Sequence, residues 1–153
     1  MIKIFTDGSC RGNGYENSRG AWGYIVIDDK DEIICLHCGG RTDTTNNQME
    51  LEAVKQALDY ITKIDAIAAE QIEMYTDSAY IHNCVTQGWY KNWQKNGWVN
   101  SKKEPVKNRE YWEFLIPFFE DNQYSFLKVK GHSTNYWNNF VDKMVQDFSA
   151  NLE

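Results

Sequence analysis

Two hydrophobic periods alternate along the chain. Residues 2–6 (IKIFT) and 22–27 (WGYIVI) are short runs rich in β-forming side chains, and residues 32–38 (EIICLHC) follow the turn-like Asp28, Asp29, Lys30 and Asp31. Three strands joined by short turns suggest an antiparallel meander. From Asn46 the period changes: Met49, Ala53, Val54, Ala57, Leu58, Ile61 and Ile64 recur every three or four residues with charge between them, which predicts an amphipathic helix. Residues 72–76 read as a fourth strand, 78–85 and 89–95 as helices, 96–108 as a loop, 111–119 as a helix, 124–129 as a fifth strand and 138–152 as a closing helix. Strands separated by helices imply right-handed crossovers and parallel pairing, so the sheet is expected to be mixed and covered by helices. In open α/β sheets of this kind, sites form beyond the carboxyl ends of parallel strands, where crossovers diverge.

Composition narrows the class. With 153 residues, 42% of them hydrophobic, two prolines and no Ser/Gly-rich linker, one domain over residues 1–153 is expected. Twenty-two acidic residues against sixteen basic ones leave a net charge of −6, which excludes a polycation that binds nucleic acid through bulk charge but not a local basic patch. No apolar run approaches the roughly 20 residues of a bilayer span, and the start, MIKIFTDGS, has no secretory leader pattern. A cytoplasmic chain with no membrane partner is expected. The four cysteines are expected to be reduced thiols. Cys35 and Cys38 form a CxxC around His37, but on a strand positions three apart face opposite ways, so the sulfurs are not expected to share a metal.

Asp7, in FTDGS, lies just past the first predicted strand, and Asp77, in YTDSA, just past the fourth. If those strands are parallel neighbours, both carboxylates emerge at one sheet edge. Glu50 falls in the first turns of the long helix and Asp142 near the start of the last. Singly, each acid equally suits a turn, a cap or a solvated helix start. Together they repel, by roughly 4 kcal/mol per pair at about 4 Å and an effective dielectric near 20, so a cluster needs a counter-charge. Mg²⁺ or Mn²⁺ suits carboxylate oxygens, and two ions about 3.5–4 Å apart support in-line phosphoryl displacement. No GxxxxGK[ST] or GxGxxG loop is present, so triphosphate and dinucleotide sites have little support.

The strings TDGSCRGNG, TTNNQMELEAV, MYTDSAY, GWVNSKKEPVKNREYW and VKGH, followed by Asn138 and Asp142, resemble the ribonuclease H family, in its bacterial type 1 form, over nearly the whole chain. The resemblance implies a ribonuclease-H-like α/β fold, a five-stranded mixed sheet flanked by helices, and endonucleolytic cleavage of the RNA strand of RNA–DNA hybrids to 5′-phosphate and 3′-hydroxyl ends. It implies two Mg²⁺ ions on Asp7, Glu50, Asp77 and Asp142, a monomer, and a His132 that assists proton transfer or product release from the loop where Asn138 follows. An ordinary histidine pKa near 6.5 suits both proton states. The chain begins at the first strand, so a separate N-terminal hybrid-binding domain is not expected.

Only the 2′-hydroxyl distinguishes RNA from DNA at a given position. Cys10, Asn13, Asn46 and Asn47 resemble family positions that contact the hybrid in its minor groove, and Thr45 and Asn92 resemble a pocket for a DNA-strand phosphate. Residues 91–109 carry six bases (Lys91, Lys95, Lys102, Lys103, Lys107, Arg109) and one acid (Glu104), +5, leaving −11 on the rest. With Trp89, Trp93 and Trp98 interleaved, this stretch resembles the family's basic protrusion, which grips the DNA strand. Trp93 and Trp98 are also expected to pack in the core. The rival readings are a DNA cutter on the same fold, betrayed by equal cleavage of duplex DNA, and a binding module without divalent-dependent cleavage.

Overall fold

A computed structural model describes residues 1–12, 16–67, 69–129 and 135–151. Strands β1 (Ile2–Arg11), β2 (Arg19–Ile27), β3 (Ile33–Thr42), β4 (Ile72–Thr76) and β5 (Tyr124–Lys128) form one five-stranded sheet in the order β3-β2-β1-β4-β5. β1 to β3 are mutually antiparallel, whereas β4 pairs in parallel with both β1 and β5. The sheet is therefore mixed, as strands joined first by turns and then by helices require.

Among the described residues five α-helices accompany it: α1 (Asn46–Ile61), α2 (Ala79–Gln87), α3 (Trp89–Lys95), α4 (Arg109–Phe119) and α5 (Tyr136–Ala150). Side-chain alternation along β2 divides the interior. Tyr24 and Val26 join Ile2 and Ile4 beneath Leu51, Val54 and Leu58 of α1, while Ile25 and Ile27 join Phe5 beneath Val141 of α5. Cys35 packs on the α1 side, and Cys38 Sγ lies 3.8 Å from the Met144 carbonyl of α5, so the two sulfurs face opposite ways as the strand period requires. No helix among the described residues is long and apolar enough to cross a membrane.

The first three strands run beyond the apolar runs that predict them, and Asp7 lies inside β1, opposite Gly23, rather than past its end. Glycines conceal these extensions. A Cβ on Gly8 would overlap the Met49 carbonyl and the Glu50 amide, and one on Gly39 would overlap the Trp22 indole. Glycine is a poor strand former in general, but here it admits a helix backbone and a large ring against the sheet.

Candidate active site

Strand register brings the first two carboxylates together. β1 and β4 pair in parallel with Phe5 beside Tyr75, their ring centroids 4.6 Å apart, and two further residues along each chain put Asp7 beside Asp77. There β4 ends: Thr76 Oγ1 accepts from the Ser78 amide at 3.0 Å, and Ser78 Oγ caps α2 by accepting from the Ile81 amide at 3.2 Å. Glu50 arrives from α1, where its Oε1 accepts from the Gly8 amide at 3.2 Å. Two contacts fix that end of α1: Thr45 Oγ1 accepts from the Gln48 amide at 3.1 Å, and Asn46 Oδ1 accepts from the Cys10 amide at 2.7 Å.

Asp7, Glu50 and Asp77 each offer a carboxylate oxygen within 4.8 Å of the others. Asp142, on the second turn of α5, adds its charge to Asp7 and Asp77, and its Oδ2 accepts from Gln146 Nε2 at 3.1 Å. Burial, followed by the Asp77 charge and contact with Asp142, pushes the Asp7 carboxyl up to about 8. Burial and then Asp7 and Asp77 hold Glu50 well above the usual carboxylate range, and burial with Asp142 raises Asp77 against a weaker opposing pull from Lys128. Glu50 Oε2 is buried with no hydrogen-bond partner among the described residues. An ionised oxygen there is costly unless a cation joins it. The donors are all hard oxygens, the set a divalent Mg²⁺-like cation favours, so the residues fit such an ion.

A cleft of about 830 Å³ opens at the start of α1, lined by Thr45, Asn46, Asn47, Trp93 and Lys107. Asn92 lines an adjoining depression with Trp89 and Asn96, and Trp93 and Asn100 line both hollows. Asn108, which the sequence did not single out, does line the cleft, accepting from Gln48 Nε2 and donating to the Tyr80 hydroxyl, both at 3.2 Å. Its left-handed backbone (φ 64°) ends the loop before α4 and belongs to no periodic pattern, so its polar position between basic run and helix was the one available signal.

Lys95 closes α3, and Lys102 and Lys103 are exposed on a turn whose amides at Lys102 and Glu104 donate to Asn100 Oδ1 at 2.9 and 3.0 Å. Trp93 is half-buried, 6.1 Å from Trp98 and 5.7 Å from Trp112 between ring centroids. The Cys10 thiol is half-buried, with Sγ 3.3 Å from the Thr44 carbonyl. Asn138 is buried in the first turn of α5, its amide donating to Asn135 Oδ1 at 2.9 Å. Asn13 and His132 lie outside the described residues.

The strand order and the clustered carboxylates define a class, α/β proteins built on the ribonuclease-H-like sheet with an acidic cluster beside its central strands. The RNase H family model matches residues 1–150. A ribonuclease H of Clostridium botulinum is 44% identical over 148 residues, spanning 95% of this chain and 93% of its own. One of Syntrophomonas wolfei is 42% identical over 153 residues, spanning 99% and 97%. The chain belongs to the RNase H family, and so to the nuclease hydrolases. Among solved structures, LC9-RNase H1, a type 1 RNase H with the type 2 active-site motif, is similar with a TM-score of 0.79 at 23% identity, over 99% of this chain and 73% of that one. LC11-RNase H1 in complex with an RNA/DNA hybrid is similar with a TM-score of 0.69 at 22% identity, over 97% and 99%. At these identities the likeness carries the fold.

Proposed function

We propose that this chain is an endoribonuclease that hydrolyses the RNA strand of RNA–DNA hybrids, leaving 5′-phosphate and 3′-hydroxyl ends. Asp7, Glu50, Asp77 and Asp142 hold two Mg²⁺ ions, with Mn²⁺ as an alternative. The observation that carries this reading is the convergence of the Asp7, Glu50 and Asp77 carboxylates, with Glu50 Oε2 buried and without a hydrogen-bond partner among the described residues. Bound there, the ions supply an activated water for in-line attack and charge stabilisation for the departing 3′ oxygen.

The chain's own groups orient the reaction. The Gly8 amide aims Glu50 at the pair set by the β1–β4 register. Thr45 spends its oxygen lone pair on the helix cap, which leaves its O–H to donate to a strand phosphate in the cleft. Cys10, Asn13, Asn46 and Asn47 read the minor groove, where the 2′-hydroxyl is displayed. Trp93, Lys95, Lys102, Lys103 and Lys107 hold the DNA strand, with Asn92 and Asn138 as further polar contacts. Asn108 joins Thr45 in the cleft. His132 carries the proton traffic that the family resemblance assigns to it. The relatives' name, and a fold neighbour solved with an RNA/DNA hybrid, support this choice of substrate. A monomer in the cytoplasm completes the reading.

The test incubates the protein with strand-labelled hybrid in Mg²⁺ and in chelator. RNA cleavage that requires the metal and is lost in Asp7→Asn is expected. No cleavage, or equal cutting of duplex DNA, overturns the reading.

A further inference from the structure

Beyond the hydrogen bond between Gln48 and Asn108 lies a second pocket, of about 420 Å³. Both residues also line the cleft assigned to the hybrid, so the two hollows adjoin across this one bond. Three cations from three elements line the second pocket: Arg41 from β3, Lys55 from α1 and Arg109 from the first position of α4. Gln48, Glu52 and Lys55 follow one another along a single face of α1 toward α4.

The cations are placed with little loss of charge. Arg41 Nη1 donates to the neutral Tyr111 hydroxyl at 3.1 Å. Lys55 Nζ stands 5.8 Å and 5.5 Å from the Tyr111 and Phe114 ring centroids, over aromatic faces rather than a carboxylate. Arg109 lies 4.9 Å over the Trp98 ring and makes an exposed pair with Glu113 at 2.7 Å, which is weak in water. Glu52 and Glu110 also line the pocket, leaving a surplus of one positive charge. Glu52 is occupied: its Oε1 accepts from the Tyr111 hydroxyl at 3.0 Å and its Oε2 from Gln56 Nε2 at 3.0 Å. Arg41 and Lys55 come from the part of the chain that carries −11, yet they stand against the start of α4, where the basic stretch ends. Planar guanidinium forks beside a lysine suit the oxygens of a phosphate.

We propose that this pocket is a phosphate subsite, and that its ligand is a backbone phosphodiester of the duplex continuing out of the cleft. The proposal rests on the hybrid reading above. From Thr45 to Lys55, α1 rises about 15 Å, an interval that about four base-pair steps of 3.4 Å cover.

Two hybrids test it, one ending within the cleft and one about four base pairs longer. Affinity is measured in metal-free buffer across a salt series for the parent and for Arg41→Ala/Lys55→Ala. On the longer hybrid the variant binds several-fold more weakly, and its log–log salt slope is shallower by up to about 2, near 0.9 for each phosphate left without a cation. On the shorter hybrid the difference vanishes. Lys55→Gln, which keeps the stem over the rings and removes only charge, gives about half the slope change and guards against a folding defect. Equal slopes for parent and variant on the longer hybrid overturn the subsite. Inorganic phosphate titrated into the parent separates the sources: saturation without any length-dependent loss makes this a free-anion site and overturns the backbone assignment. If the parent cleaves hybrid while the slopes stay equal, only the subsite falls; if the parent does not cleave hybrid, the functional reading falls first.

Discussion

The Gly8 amide donates to Glu50 Oε1 at 3.2 Å across a contact in which no side chain fits between β1 and α1. One missing methyl therefore sets both the helix position and the reach of a carboxylate. Gly8→Ala must push α1 outward by displacing backbone, at a cost of about 1–3 kcal/mol. A lower urea midpoint and weaker Mg²⁺ binding by calorimetry are expected together. Parental values of both would mean that this contact does not position Glu50.

The acidic cluster makes metal-free stability depend on pH. Asp7 titrates at about 8 in the folded chain against an ordinary 3.8, so between those values the folded state keeps a proton that the unfolded state has released. Stability conferred by the protonated group is then lost as pH rises from about 4 to about 8. Thermal melts in chelator should show this decline. Asp7→Asn flattens it and melts higher than the parent near neutral pH, while Mg²⁺ restores the parent. A clear loss of stability in Asp7→Asn would assign Asp7 a hydrogen-bonding role instead.

Lys102, Lys103 and Lys107 are exposed on or beside the turn before α4. If they meet phosphates, replacing all three with alanine lowers the log–log salt slope of hybrid binding by about 0.9 for every phosphate they had neutralised, and raises KM more than it lowers kcat. A slope series on single, double and triple variants checks the count. An unchanged slope in the triple variant would remove this stretch from the interface.

Trp112 is fully buried, and its indole N–H has no acceptor among the described residues. Trp112→Ala should cost about 3–5 kcal/mol through the cavity it leaves. Trp112→Phe should cost much less, because it also removes the unpaired donor. Chemical denaturation of both variants makes the comparison; equal losses would mean that the N–H finds a partner.

The order of strands and helices was legible because each helix shows its three- and four-residue recurrence and each strand its apolar run. The strand ends were not, since Gly8 and Gly39 are where neighbours press closest and their glycines read as interruption. Asp7 was thereby set just beyond a strand it lies within, although its partnership with Asp77 survived because the parallel register depends only on the offset between Phe5 and Tyr75. Glu50 was legible from its place on α1, and Asp142 from its place on α5. The cleft was harder. Thr45 and Asn92 line adjoining hollows that share Trp93 and Asn100, and Asn108 reaches Thr45's side through Gln48 and Tyr80, contacts spanning 60 and 28 residues of sequence.

Cys35 and Cys38 are three residues apart yet sit on opposite sides of the sheet. Oxidants cannot join them without breaking the edge strand, and each thiol is shielded by a different helix. Thiol-reactive dyes would thus report two separate events, the peeling away of α1 at one sulfur and of α5 at the other. The CxxC, inert as a metal clasp, serves as a pair of built-in gauges for which layer of the enzyme loosens first.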